Sequence, residues 1–262
     1  MQVIPRSIKG LVKRILSARG YELRRRPTEL PLRTTIRQSY ELMKDLGFGP
    51  ATVIDVGVAS GTPELYETFP GATFLLVEPL AAFEAEIKMI LQRYRGSYVI
   101  GAAGPRSGEV SFNVHDNHMH GSSLLNETMG EVADGHRITV PMVVVDDLVK
   151  ERSLVGPMLV KVDVQGGEIN VLEGCTRTLE STEAVVLEVS LFEFMKGAPQ
   201  LHDVVSYMKA LGFVAYDIVL GWNRPLDNAL GQVDIVFVKE AGRFRRDHSF
   251  ATVEQMRQKF GS

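Results

Sequence analysis

The stretch Val53-Ile54-Asp55-Val56-Gly57-Val58-Ala59-Ser60-Gly61 decides how this chain is read. An apolar, β-branched run carrying one acid passes directly into a turn of glycines and small residues, with Pro63 just beyond as a helix start. Glycine in such a turn lets the backbone approach a ligand that any Cβ would repel. The turn has no P-loop lysine and lacks the GxGxxG spacing, which disfavours a triphosphate or a nicotinamide dinucleotide. About 20 residues further on, Thr73-Phe74-Leu75-Leu76-Val77-Glu78 repeats the strand pattern and closes on an acid. A carboxylate at that place can accept hydrogen bonds from both hydroxyls of a ribose.

Working outward, strands and helices alternate. A helix is expected from Thr34 to Leu46 with Gly47 as its C-cap, then one from Pro63 to Phe69 and a long one from Leu80 to Tyr94 before the strand-like run Ser97 to Gly104. Beyond Val145 the rhythm resumes with Met158 to Val164, a helix from Glu168 to Leu179, the run Ala184 to Ser190 and a helix from Leu201 to Leu211. Phe213 to Val219 and Gln232 to Glu240 close the sheet as an antiparallel pair. Between Gly108 and Val145 the alternation breaks, and two β runs flank a polar stretch, which predicts an inserted β element with a loop. The fold class is therefore α/β: a Rossmann-like, mostly parallel seven-stranded sheet with helices on both faces.

At 262 residues the chain suits one domain, here 31–242, with an N-terminal extension over 1–30 and a C-terminal tail over 243–262. No apolar run approaches the roughly 18 to 20 residues that span a bilayer. The single cysteine, Cys175, has no internal disulfide partner, which suits a reducing, cytoplasmic compartment. The net charge of −3 conceals an asymmetry: Arg6, Lys9, Lys13, Arg14, Arg19, Arg24, Arg25 and Arg26 precede an acidic remainder. Ile4, Ile8, Leu11, Val12, Ile15 and Leu16 fall on the opposite face of the same helical pattern, so residues 1–26 suit peripheral docking at the inner face of a membrane. Packing on the domain, or on a second subunit in a homo-oligomer, is the alternative. Charges interrupt the apolar positions, which excludes a secretory signal.

Taken together, IDVGVASG, LLVEP, Gly101-Ala102-Ala103-Gly104, Gly121-Ser122-Ser123-Leu124, the VDDL of Val145 to Leu148, LVKVDVQGGEINVLEG and DIVFVK resemble the FkbM family of class I, Rossmann-like methyltransferases. The resemblance covers about Ala51 to Lys239. It implies S-adenosylmethionine as methyl donor and an O-methyltransferase acting on a hydroxyl of a sugar, glycan, glycolipid or related natural product, as in polysaccharide biosynthesis. It further implies that Asp55, Gly57, Ala59 and Gly61 line the methionine and ribose side, that Glu78 holds the ribose, and that Ala102 or Ala103 flanks the adenine. Ser123 is expected at the donor's amino-acid end or within its own loop. Two departures stand out: the family's DVGANIG is here DVGVASG, and its DVEG or DIEG is Asp163-Val164-Gln165-Gly166, which removes one negative charge.

Methyl transfer from a sulfonium is an in-line displacement, so the protein's tasks are alignment and removal of the acceptor proton. Asp163 and Glu188 end neighbouring parallel strands and should face one pocket, as a catalytic base or as ligands for a divalent cation such as Mg. Helix capping or lysine pairing is the plainer role for these acids. In the loop His115 to Ser123, His115 and His120 are candidate bases or acceptor contacts; no strong zinc-ligand spacing is present. The rival to an enzyme is a non-catalytic scaffold protein that keeps the fold and is recruited by its basic N-terminus, motivated by Val58, Ser60 and Gln165. Nucleic acid is disfavoured because positive charge is confined to one end. Deleting residues 1–26 is expected to weaken sedimentation with anionic vesicles and to leave donor affinity unchanged; equal sedimentation of both forms would remove the membrane role.

Overall fold

The computed structural model describes residues 32–260 apart from 131, 132 and 134, so the amphipathic stretch of residues 1–26 lies outside the described residues. From Thr34 onward the chain forms one compact unit. Its strands are β1 (Thr52–Val56), β2 (Thr73–Glu78), β3 (Gly96–Ile100), β4 (Ala102–Ala103), β5 (Gly108–Val114), β6 (His136–Val143), β7 (Met158–Val162), β8 (Thr182–Ser190), β9 (Phe213–Leu220) and β10 (Gln232–Lys239). The helices are α1 (Ile36–Asp45), α2 (Pro63–Thr68), α3 (Glu84–Arg93), α4 (Val145–Glu151), α5 (Glu168–Glu173), α6 (Thr176–Glu180), α7 (Leu201–Ala210) and α8 (Val253–Phe260). Among the described residues none of these is long and apolar enough to cross a membrane.

The main sheet has seven strands in the order β3-β2-β1-β7-β8-β10-β9. All neighbouring pairs are parallel except those made by β10, which runs antiparallel to β8 and β9. Strand order reverses at β1 and β7, the place where open α/β sheets leave a crevice at their carboxyl ends. Every residue of β1 is buried, because helices cover both faces. Val53, Phe74, Leu76 and Leu159 pack with Tyr40, Leu65 and Ile87 of α1 to α3. Ile54, Leu75, Val160 and Leu187 pack with Leu148, Val171, Leu179 and Met208 of α4 to α7. That two-sided burial is why the strands read as continuous apolar runs rather than alternating ones.

Three local expectations change. The run Ser97 to Gly104 divides at Gly101: β3 stays in the main sheet, while Ala102 and Ala103 pair with β6 in a second sheet of order β4-β6-β5. The helix expected from Glu168 to Leu179 breaks at Gly174 and Cys175. A Cβ on Gly174 would sit 2.3 Å from the Gly104 carbonyl oxygen, and Asp146 restarts the helix by accepting N–H bonds from Arg177 at 2.9 Å and Thr178 at 2.7 Å. The long helix from Leu80 begins as a 3-10 turn over Ala81–Phe83. The start of the C-terminal tail, to which the sequence assigned nothing, docks onto the domain: Arg243 donates to the Gly47 carbonyl at 2.7 Å, and Phe244 packs edge-on against Phe48 at 5.5 Å.

A buried charge pair ties β1 to β7. Asp55 and Lys161 are register partners, and Lys161 Nζ lies 3.3 Å from Asp55 Oδ1 and 3.3 Å from Asp163 Oδ2. Asp55 is fully buried and also accepts from Thr62 Oγ1 at 3.0 Å and Tyr66 Oη at 2.5 Å. Burial alone would lower the Lys161 ammonium, but Asp55 and Asp163 beside it raise it well above the ordinary lysine value. Lys161→Met strands a buried carboxylate and is expected to cost about 3–5 kcal/mol in urea unfolding, part of it recovered by adding Asp55→Asn. A loss below about 1 kcal/mol, the range of a surface pair, would show that the pair does not hold the sheet.

Candidate functional site

At the strand-order reversal the glycine turn and the turn after β7 meet backbone to backbone. Gly57 has φ +78, and a Cβ on it would lie 1.8 Å from the Asp163 carbonyl oxygen, so no other residue fits there. The Asp163 N–H returns a hydrogen bond to the Val56 carbonyl at 3.0 Å. Ala59 and Gln165 both take left-handed backbone, φ 44 and φ 50, a cost that marks each turn as held by its surroundings. For Ala59 the hold is its N–H to Glu78 Oε2 at 2.8 Å. For Gln165 it is the Ser123 hydroxyl, which donates to the Gln165 carbonyl at 2.8 Å.

A cavity of about 280 Å³ opens over these turns, lined by both turns, Glu78, Leu80, Phe83, Ala102, Ala103, Phe112, His118, His120, Glu188, Trp222 and Gln232. That volume is near the lower end for small-molecule sites. The Glu78 carboxylate is pinned in the wall, with Oε1 accepting the Leu80 N–H at 2.9 Å, and burial pushes its pKa up. A second cavity of about 260 Å³ lies on the α1 side and shares Gly57, Ala59, His120, Asp163 and Glu188 with the first. Tyr40, Lys161 and Asp234 also line it, and the fully buried Tyr40 hydroxyl has no hydrogen-bond partner.

Asp163 and Glu188 thus stand where the two cavities meet. Gln165 joins them, donating from Nε2 to Glu188 Oε2 at 2.8 Å and to Asp163 Oδ1 at 3.4 Å. Glu188 is pushed up to about 9, first by burial, then by Asp163 and by Asp234, its register partner on β10. Asp234 itself is pushed up to about 6 by burial and by Asp163. Glu188 therefore carries a proton near neutral pH, and the pair holds one negative charge fewer than its formula suggests.

The structure brings together Gly57, Ala59, Glu78, Ala102, Ala103, His120, Asp163 and Glu188 on the first cavity and leaves four candidates off it. Asp55 lines neither cavity, its carboxylate being committed to Thr62, Tyr66 and Lys161 beneath the turn. Gly61 faces the second cavity. Ser123 sits behind the wall as the prop for Gln165. His115 is buried, lines neither cavity and faces Glu127, with Nδ1 3.6 Å from its Oε1. His120 instead closes its loop onto the glycine turn, with Nε2 3.1 Å from Ser60 Oγ and its ring 5.3 Å from that of Phe83.

As a cation site the acid pair does not fit. The Lys161 ammonium and the Gln165 amide already approach both Asp163 oxygens and Glu188 Oε2, and among the described residues no group of three or more His, Cys, Asp or Glu is placed to hold a metal ion. For an adenosyl donor the same wall does fit. Small residues at the turn allow close approach, Glu78 offers a fixed carboxylate, and Leu80, Phe83, Phe112 and Ala102 supply apolar flanks for a flat base. The sequence left Lys161, Asp234 and Gln165 without a place in the site. The signal for the first two was a charge inside an otherwise apolar strand, which burial permits only with a partner.

The family model described as "Methyltransferase FkbM domain" matches residues 55–215. No curated protein matches the chain. Among solved structures the chain is similar to precorrin-6y C5,15-methyltransferase from Geobacter metallireducens GS-15, at 12% identity and TM-score 0.43, covering 82% of this chain and 93% of that one. It is also similar to 1,6-didemethyltoxoflavin-N1-methyltransferase from Burkholderia thailandensis, at 10% identity and TM-score 0.42, covering 91% and 92%. An rRNA methylase from Streptococcus thermophilus is similar at 12% identity and TM-score 0.44, covering 80% and 99%.

The raised Glu188 pKa has a consequence for stability. Between its ordinary value of 4.5 and about 9, the folded protein holds a proton that the unfolded chain releases. The Glu188 contribution to stability is therefore full below about pH 4.5 and is lost as pH rises through about 9. Glu188→Gln keeps an acceptor for Gln165 and removes that titration. Its Tm is expected to fall less steeply than that of the unaltered protein from about pH 5 to about pH 9. Parallel Tm profiles in thermal melts would place the Glu188 proton elsewhere.

Proposed function

The chain belongs to the FkbM-domain methyltransferases, a family that implies S-adenosylmethionine as methyl donor, and from that premise we propose that it methylates a hydroxyl oxygen of a sugar, glycan or glycolipid. The supporting observation is the position of Asp163 and Glu188 at the junction of two cavities, one of which carries the glycine turn and Glu78. When bound, the donor supplies an electrophilic methyl group already activated by its sulfonium charge. A neutral hydroxyl attacking that methyl must lose its proton, so a base within reach of the acceptor is the group the protein must provide.

Asp163 is suited to that work. Lys161 Nζ and Gln165 Nε2 approach different oxygens of its carboxylate, at 3.3 and 3.4 Å, fixing its orientation. Glu188, holding its own proton beside it, adds no second negative charge to repel the developing alkoxide. Gly57 and Ala59 would let the donor approach the backbone, Glu78 would accept from its ribose, and Phe83 and Leu80 would keep water from its base. His120, on both cavities, closes the gap between loop and turn and is the alternative acceptor contact.

The purified protein is expected to bind S-adenosylmethionine in isothermal titration and to transfer labelled methyl to members of a glycan panel. Asp163→Asn, nearly isosteric, should lower kcat by about a hundredfold or more while changing donor affinity only a few-fold. Full activity of that variant would remove Asp163 from the chemistry. Absence of donor binding at millimolar concentration would end the catalytic reading altogether.

A further inference from the structure

The segments that follow β8 and β9 together build an aromatic rim on the first cavity. Trp222 is 44% exposed, yet it lines the same cavity as Asp163, Gln165 and Glu188. One face of its ring is stacked on Phe194, with centroids 5.4 Å apart and planes 23° apart. Phe194 packs on Phe192 at 6.1 Å, and the Arg224 guanidinium lies 3.7 Å over the Phe192 ring. Asp227 fixes that guanidinium through both carboxylate oxygens, at 2.7 and 2.6 Å. Gly231 completes the seat: a Cβ there would stand 3.1 Å from Trp222 Cζ3.

Nearly half of the indole stays in solvent, and a stack, a cation over a ring and a bidentate ion pair together hold that exposed part of the ring in one orientation. What such an arrangement provides is a flat apolar surface whose ordering cost has been met before any ligand arrives. A pyranose ring has apolar C–H faces and a polar circumference. Laid on an indole, it hides a C–H face and keeps its hydroxyls free for polar groups, and Gln165, Glu188 and Gln232 line the same cavity. A linear polyol has no such face.

We propose that Trp222 is the stacking platform for a cyclic saccharide unit of the acceptor. The proposal rests on the reading that the acceptor is a sugar hydroxyl, and the two can fail separately. Because the chain has one tryptophan, its fluorescence excited at the red edge, beyond the absorption of the tyrosines, reports on this residue alone. The full-length protein, with S-adenosylhomocysteine present, is titrated with methyl gluco-, manno- and galactopyranosides and with glucitol. A saturable change in emission is expected with at least one pyranoside and none with glucitol. In transfer assays Trp222→Ala should raise the KM of a methylated pyranoside about tenfold, with kcat and donor KM within about twofold, and Trp222→Phe should restore most of the loss. A pyranoside that changes the emission without being methylated supports the platform and overturns the transfer reading. A pyranoside that is methylated while emission and the Trp222→Ala KM stay unchanged overturns the platform and leaves the transfer reading standing. Equal response to glucitol overturns the ring preference, and silence in both assays overturns both.

Discussion

The architecture depends on a lysine enclosed between two carboxylates at the centre of the sheet. Lys161 cannot be buried unless Asp55 is opposite it, and Asp55 cannot be buried without Lys161, Thr62 and Tyr66. That mutual requirement sets β1 and β7 side by side in one register. From the register follows the contact of Gly57 with the Asp163 carbonyl, and from that contact the crevice at the carboxyl ends of the two strands. A one-residue slip would turn Asp55 and Lys161 to opposite faces and place charges in an apolar layer.

The same charge arrangement governs the chemistry of the crevice. Lys161 neutralises part of the field around Asp163, while Glu188 and Asp234, paired across β8 and β10, answer the crowding of acids by holding protons more tightly. Four ionisable side chains thereby occupy a small volume with little net repulsion. Gln165 fits the same arrangement: its amide donates to both Asp163 and Glu188, whereas a carboxylate there would add a further negative charge and could donate only when protonated. The inserted sheet contributes from the other side, since Ser123 holds the strained backbone of Gln165 and His120 meets Ser60. Within one loop, then, Ser123 supports the cavity wall from behind while His120 lines the cavity itself.

Much of this was legible in the residues themselves. Two-sided burial turns β1, β2, β7 and β8 into apolar runs, so strand positions, the glycine turn and the acids at Glu78, Asp163 and Glu188 could all be read in order along the chain. Side-chain direction could not. His115 and His120 belong to the same polar loop, yet one turns inward to Glu127 and the other onto the cavity. Asp55 sits in the most informative motif and still points beneath the turn, because the partner that draws it there lies more than a hundred residues away. The break between α5 and α6 has the same origin in Asp146, a cap supplied from another element.

What the sequence alone determined was the order of strands and helices, the family, and which acids reach the carboxyl edge of the sheet. Periodicity, turn glycines and strand-end acids are local properties of a chain. What only the tertiary structure decided was which of those groups share a cavity, which are consumed as struts, and that Trp222 joins the wall beside Asp163 and Glu188. Those outcomes depend on distances between segments remote in sequence, and such distances exist only once the backbone has closed around its buried charges.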